Sequence, residues 1–436
     1  MPFAALDLHK QNVEAIVLND DGSIRLRQRI PTNRVALVKF AQQHLSPAIP
    51  LAVEATFNTW AIVDLLTPFV QKIVVSNPLR TRAIAEAKIK TDKVDALVLA
   101  QLLRLDYLPS VWIPGLATRQ LRRATTERTQ LTQDRTALKN RMHAILHQRL
   151  LDAPDGDLFT PTNLIWLRAL ELDSLGRSQL DRLLRLYDQL QIEINQVGNA
   201  LAVHAHSSPS VKLLMTLPGV DFAVAETVLA ALGDISRFPS PDRAAAYLGL
   251  VPSTRQSGNH CYHGSITKQG SGHARWMMVQ AAQQLGNNPG PLGVFFRRLA
   301  KRKNRNVAVV ATARKLVTIA WHMLKRNEPY RYSIPSTTHA KLDRLRIRAT
   351  GERKKGGNPK GQPRPATYGS GQPTRGIPSL DQVLARNALP PLAELKPGER
   401  AMLERSELTN FAADLRKPKR VRKAVPVTNT PPTPEE

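Results

Sequence analysis

Phe3-Ala4-Ala5-Leu6-Asp7-Leu8 is an apolar run that closes on a carboxylate, and Leu51-Ala52-Val53-Glu54-Ala55-Thr56 repeats the pattern further along. Short apolar runs bounded by polar residues read as buried strands. Burying a carboxylate at a strand end is costly unless something pairs with it. Parallel neighbours would bring Asp7 and Glu54 to the same end of one sheet, so the two stretches together decide how the first hundred residues are read.

Working outward, residues 13–19 and 23–30 read as two further strands around a turn at Asp20-Asp21-Gly22, with Ile24, Leu26, Gln28 and Ile30 on one face of the third. Thr32 or Asn33 is placed to cap a helix through about residue 45, and a helix at 59–66, a strand at 72–76 and helices at 78–88 and 91–105 follow. Three antiparallel strands followed by alternating helices and parallel strands make a mixed α/β sheet, the order found in ribonuclease H-like folds.

The last of these helices carries Lys90-Thr91-Asp92-Lys93-Val94-Asp95-Ala96, whose i, i+3 acids share a helix face. Taken singly, Asp92 reads as an acid favoured by the helix macrodipole and Asp95 as a surface partner of Lys88 or Lys90. Together with Asp7 and Glu54 they form an all-oxygen set suited to hard divalent cations, Mg²⁺ or Mn²⁺, rather than zinc. Two such ions about 4 Å apart clamp the attacking and leaving oxygens of a phosphodiester.

The chain of 436 residues holds 62 Lys and Arg against 35 Asp and Glu, a formal charge of +27. That excess points to a polyanionic partner. Residues 1–100 are nearly balanced, with 12 basic and 9 acidic side chains, whereas the 85 residues between Asp242 and Glu328 hold 14 Lys and Arg and no acid. One-signed stretches cost self-repulsion, which favours a phosphate-facing surface over an ordinary solvated one. Arg255, Lys268, Arg275, Arg297, Arg298, Lys301, Arg302, Lys303 and Arg305 are the candidate nucleic-acid contacts. The single cysteine, Cys261, excludes an intrachain disulfide. The first residues lack a signal-peptide pattern and no apolar run approaches membrane-spanning length, so a cytoplasmic, nucleoid-associated protein is expected.

Residues 118–150 and 164–203 read as two long helices, a protruding hairpin or a coiled-coil dimerisation arm. Leu217-Pro218-Gly219-Val220 then resembles a helix-hairpin-helix turn, whose backbone amides can meet a phosphate, or a plain helical corner. Further on, Gln256-Ser257-Gly258 lies among Arg255, Lys268 and Arg275, cations that could stabilise a serine nucleophile. Beyond Ser333 the composition turns to Gly, Pro, Lys and Arg, which predicts a largely disordered basic tail, with a short helix at about 399–415.

These strings together resemble the four-carboxylate (DEDD) insertion-sequence transposases, now described as bridge-RNA-guided recombinases. Asp7 in DLHK, Glu54 in VEATFNTW, and Asp92 and Asp95 in KTDKVDA are similar to the carboxylates of their ribonuclease H/Holliday-resolvase-like domain. LPGV, GLVPSTRQSG and GSITKQG are similar to their transposase domain, and the resemblance covers residues 1 to about 330. With the reading above it gives an α/β plus α chain of catalytic domain 1–110, helical hairpin or coiled coil 111–206 and transposase domain 207–333, and the basic tail 334–436 is a departure from the family. The resemblance also implies a composite site in a homo-oligomer, with the carboxylates and a nucleophilic serine from different subunits. By matching position the serine is Ser257, ahead of Ser253. Donor DNA, target DNA and a structured guide RNA are the implied partners. A junction nuclease using metal-activated water, and a non-catalytic nucleic-acid-binding protein, are the competing classes.

Overall fold

Alternating small and branched residues build the sheet that opens the chain. A computed structural model describes residues 1–84, 92–258, 260–352 and 376–420, in two compact units, Met1–Gly115 and Leu116–Glu436. In the first, β1 (Phe3–Leu8), β2 (Asn12–Leu18) and β3 (Ile24–Pro31) form an antiparallel meander. Helix α1 (Arg34–His44), capped by the Asn33 side chain, leads to β4 (Pro50–Glu54), and α2 (Thr59–Leu66) leads to β5 (Lys72–Ser76). Strand β4 pairs parallel with both β1 and β5, so the sheet order is β3-β2-β1-β4-β5. Helices α3 (Pro78–Ile84) and α4 (Asp92–Arg104) follow, and the remainder of the helix expected at 78–88 lies outside the described residues.

Successive strand residues point to opposite faces, and the two faces are packed differently. Ala4, Leu6 and Leu8 join a core with Leu37 and Phe40 of α1 and Ile62 and Leu66 of α2. Ala5, Ile16 and Ala52 meet Ala96, Leu99, Ala100 and Leu103 of α4 on the other face. The alanines on both sides let α4 lie close on the sheet. On the edge strand β3, Leu26 and Ile30 reach the core, but Ile24 is exposed, contrary to the alternation read from the sequence. Exposed Arg25, Arg27 and Arg29 leave this edge unsuited to pairing with another strand.

The second unit begins with α5 (Leu116–His147), α6 (Pro161–Ala169) and α7 (Ser174–Ser207). Leu138, Met142 and Leu146 of α5 pack with Leu167 of α6 and Leu180 and Leu184 of α7. Then come α8 (Pro209–Leu214), α9 (Phe222–Leu232) and α10 (Pro241–Tyr247), the ribbon β6 (Pro252–Ser257) and β7 (His260–Ile266), and helices α11 (Gly272–Gln283), α12 (Pro291–Arg302) and α13 (Arg305–Arg326). The end of α7 enters the core that α9, α11 and α13 share, through Ala202 and Ala205. Near its start, α5 is tied to the end of α9 by Arg122, which donates to the carbonyls of Ala230 and Ala231 at 2.6 and 2.8 Å. Those carbonyls belong to a last helical turn and have no intrahelical donor.

Two expectations need correction. Helix α13 is long and apolar enough, by length and composition, to cross a membrane. Its apolar face is nevertheless the centre of the core, with Ala308, Ala313, Leu316 and Val317 buried. Beyond Ser333, α14 (Pro335–Thr350) packs along α7, and β8 (Gly376–Ile377), α15 (Leu380–Arg386), α16 (Pro397–Arg405), α17 (Phe411–Arg416) and β9 (Lys419–Arg420) follow. Leu380 and Leu415 close over Val294 of α12. A basic composition is no bar to folding where a few leucines find an apolar surface made by the rest of the chain.

Candidate active site

Strand register determines where the acids go. Leu6 of β1 is level with Val53 of β4, so Asp7 and Glu54, one residue on in each parallel strand, are neighbours at the same end of the sheet. Both follow by two residues an alanine that faces α4, Ala5 and Ala52, and therefore lie on the α4 face. Asp7 is 2% exposed, and its Oδ2 is 2.9 Å from His9 Nε2. Glu54 is half-buried.

Helix α4 runs antiparallel to β1. Its end is fixed at the turn between β2 and β3, where Gln101 donates to the Gly22 carbonyl at 3.0 Å and Arg104 to that of Asp20 at 3.3 Å, beside the start of β1. From there back to Asp95 is roughly 13 Å at ~1.5 Å per helical residue, which matches roughly 13 Å along β1 from Phe3 to Asp7. Half-buried Asp95 thus lies over the strand ends that carry Asp7 and Glu54. Asp92 begins the helix one turn earlier, and its side chain lies outside the described residues. Among the described residues no three His, Cys, Asp or Glu side chains are gathered closely enough to hold an ion.

One acid on this face was missed by sequence reading. Glu14 of β2 is paired directly with Asp7 and is 5% exposed, with Arg29 Nε 3.5 Å from its carboxylate. Its signal was the one used for Asp7, an acid within an apolar strand, Val13-Glu14-Ala15-Ile16. Like charges directly opposed in a sheet repel, so this pair favours a cation nearby.

The serine candidates lie in the second unit. Ser257 ends β6 and is paired across the ribbon with His260 at its exposed tip, where Gly258 has a φ of +54°. Arg255, two residues back, shares the Ser257 face and is paired with Tyr262, which is 81% exposed. Ser253 stands at the base of the ribbon, where its hydroxyl donates to the Ser265 carbonyl at 3.1 Å.

The basic candidates divide into two groups. Arg275 donates to the Leu248 and Gln269 carbonyls at 3.0 and 3.3 Å, and Arg297 to those of Gly286 and Asn288 at 3.0 and 2.7 Å. Arg298 lies over the Phe411 ring. Arg255, Lys268, Lys301, Arg302, Lys303 and Arg305 are exposed.

Residues 4–150 match the DEDD, IS110-type family described as Transposase, and residues 211–289 match the Transposase IS116/IS110/IS902 family. Together the matches span just over half of the chain. The chain belongs to the IS110-type transposases. It is 28% identical over 249 residues to the protein y4qE of Sinorhizobium fredii, across 57% of this chain and 59% of that relative, so it spans less than two thirds of that relative's length. It is 27% identical to the transposase for insertion sequence element IS1111A of Coxiella burnetii, across 56% of this chain and 68% of the relative. The pilin gene-inverting protein of Moraxella bovis is also 27% identical, across 66% and 84%.

Proposed function

We propose that this chain cuts and rejoins DNA to move an insertion sequence, with Asp7, Glu54, Asp92 and Asp95 holding divalent metal and Ser257 as nucleophile. The observation that carries the reading is the convergence of Asp7, Glu54 and the start of α4 at one end of one sheet. The donor set fits the metal, since its atoms are hard carboxylate oxygens and the opposed acids Asp7 and Glu14 call for positive charge. When bound, Mg²⁺ or Mn²⁺ supplies charge neutralisation at the phosphodiester. The sheet order supports a ribonuclease H-like domain, and the relative named for gene inversion supports recombination as the reaction class.

His9 holds the Asp7 carboxylate in place at the strand end. The Ser257 hydroxyl attacks phosphorus, forming an Oγ–P ester while the bond from phosphorus to the leaving sugar oxygen breaks. The serine proton passes to water, and the leaving oxygen takes one from water. A sugar hydroxyl from the partner strand reverses the step and frees the serine, so the phosphodiester is conserved rather than lost to hydrolysis. Arg255, on the Ser257 face, is placed to attract the phosphate. Engagement of the Ser253 hydroxyl within the ribbon supports Ser257 over Ser253. In this reading the carboxylates and the serine that act on one phosphate come from different copies of the chain. The acid-free stretch from 243 to 327 suits DNA and a structured guide RNA alike.

The test is trapping on a nicked suicide DNA substrate. A denaturation-resistant protein–DNA adduct that maps to Gln256-Ser257-Gly258, and is lost in Ser257→Ala, is the expected result. Wild-type cutting by Ser257→Ala with no adduct in either protein would replace this reading with a nuclease that uses water.

A further inference from the structure

The segment beyond Ser333 lies outside both family matches, yet it reaches into the turn between α8 and α9. Lys341 of α14 donates from Nζ to three backbone carbonyls of that turn, Met215 at 2.7 Å, Leu217 at 2.6 Å and Val220 at 2.9 Å. An ammonium has three N–H donors and no acceptor, so this one is fully used. The carbonyls converge because the chain reverses sharply. Gly219 has a φ of +78°, and a Cβ there would sit 2.4 Å from the Ala281 carbonyl oxygen.

Three carbonyl dipoles aimed at one point make a local well of negative potential, the arrangement by which backbone oxygens replace the water around an alkali-metal ion. A cleft of about 450 Å³, lined by Thr216, Pro218, Gly219, Asn288, Thr338 and Lys341, leads to it. Asp221, just past the turn, adds negative charge, and Arg344 on α14 opposes it. Burial pushes the Lys341 ammonium down to about 8. A charged group accepting that cost is held by what surrounds it.

We propose that the turn between α8 and α9 is a monovalent-cation site, and that this chain fills it with its own cation, the Lys341 ammonium delivered by α14. The C-terminal segment thereby makes the turn independent of the ions in solution. The turn leads directly into the N-terminus of α9, so its shape sets how those amides are presented. The site stands on the carbonyl geometry and does not depend on the nuclease or transposase chemistry.

Melting of the full chain in KCl, NaCl and choline chloride at equal ionic strength tests this, because choline is too large for the cage. Wild type should melt alike in all three. Lys341→Ala should melt about 5 °C lower in choline chloride, and at least half of the loss should return, saturably, in KCl or NaCl. Lys341→Gln, which keeps two N–H donors without the charge, should lose less and show no preference among salts. Identical behaviour of Lys341→Ala in the three salts, at any melting temperature, would overturn the proposal, as would a cation preference in wild type. Should Lys341→Ala not fold, competitive acylation of wild type read by mass spectrometry decides the matter. Lys341 should be among the slowest lysines to react, and a rate equal to that of exposed Lys301 or Lys303 would refute its place in the cage.

Discussion

Asp7 and Glu226 are both acids with almost no exposure, and they make opposite demands on the protein. Asp7 sits at a sheet end beside the carboxylates Glu14 and Glu54, a setting that the proposed metal would relieve. Asp7→Asn, Glu54→Gln and Asp95→Asn remove charge but keep shape, so each should lower strand cleavage at least about 100-fold while leaving the circular dichroism spectrum intact. Full activity in any two of them, or undiminished activity in EDTA, would remove the metal site. Glu226 is enclosed within α9, with one carboxylate oxygen 2.7 Å from His204 Nδ1 and the other without a described partner. Burial raises its pKa, and His204 acts in the other direction. Above the ordinary value of 4.5 the unfolded chain therefore gives up this proton before the native chain does. The stability that Glu226 contributes is whole below that pH and is lost as pH rises through the folded value. Urea titrations should show Glu226→Gln gaining on wild type from pH 4.5 to 8. A constant difference would mean that the carboxyl stays ionised throughout.

At the scale of elements, the unit 116–436 combines a turn that cannot give with a ribbon that has room to move. A side chain at 219 would require both left-handed backbone and a shift of the Ala281 carbonyl. Gly219→Ala should cost about 2–4 kcal/mol of stability, measured by denaturant unfolding. The ribbon of β6 and β7 is exposed along most of its length, and a Cβ at Gly258 would meet nothing within 4 Å. Ser257→Ala should leave the melting temperature within about 2 °C of wild type, since surface changes away from the core rarely exceed ~0.5 kcal/mol, and Gly258→Ala should lose only the ~1–2 kcal/mol that left-handed backbone costs a side chain. A larger loss in either would show that the tip is packed rather than presented.

For the whole molecule, charge and the C-terminal segment matter most. If exposed Lys301, Arg302, Lys303 and Arg305 each neutralise one phosphate, changing all four to alanine should make the slope of log K against log salt shallower by about 3 to 4. An unchanged slope would place the nucleic acid elsewhere. Composition predicts that deleting residues 351–436 lowers non-specific affinity without removing catalysis. The packing of Leu380 and Leu415 on Val294 instead predicts a loss of about 2–4 kcal/mol as well, from the apolar surface uncovered. An unaltered unfolding midpoint in the deletion would show that these contacts do not stabilise α12.

Local signals in the sequence were enough for the order of strands and helices in the first hundred residues and for proposing four acids and a basic stretch, because alternation, caps and charge are properties of neighbours along the chain. Asp7 and Glu54 could be read as candidates because a carboxylate inside an apolar strand is conspicuous wherever the strand goes. What tertiary structure alone decided depends on contacts between distant residues. Strand register made Glu14 a neighbour of Asp7, and the antiparallel run of α4 over β1 brought Asp95 to the strand ends. Arg275 and Arg297, read as phosphate contacts, also donate to backbone carbonyls at the ends of helical segments. Nothing in a Pro-rich basic segment announces that one of its lysines, Lys341, will meet three carbonyls more than a hundred residues away. Periodicity records which residues share a face, and only the folded chain determines what that face meets.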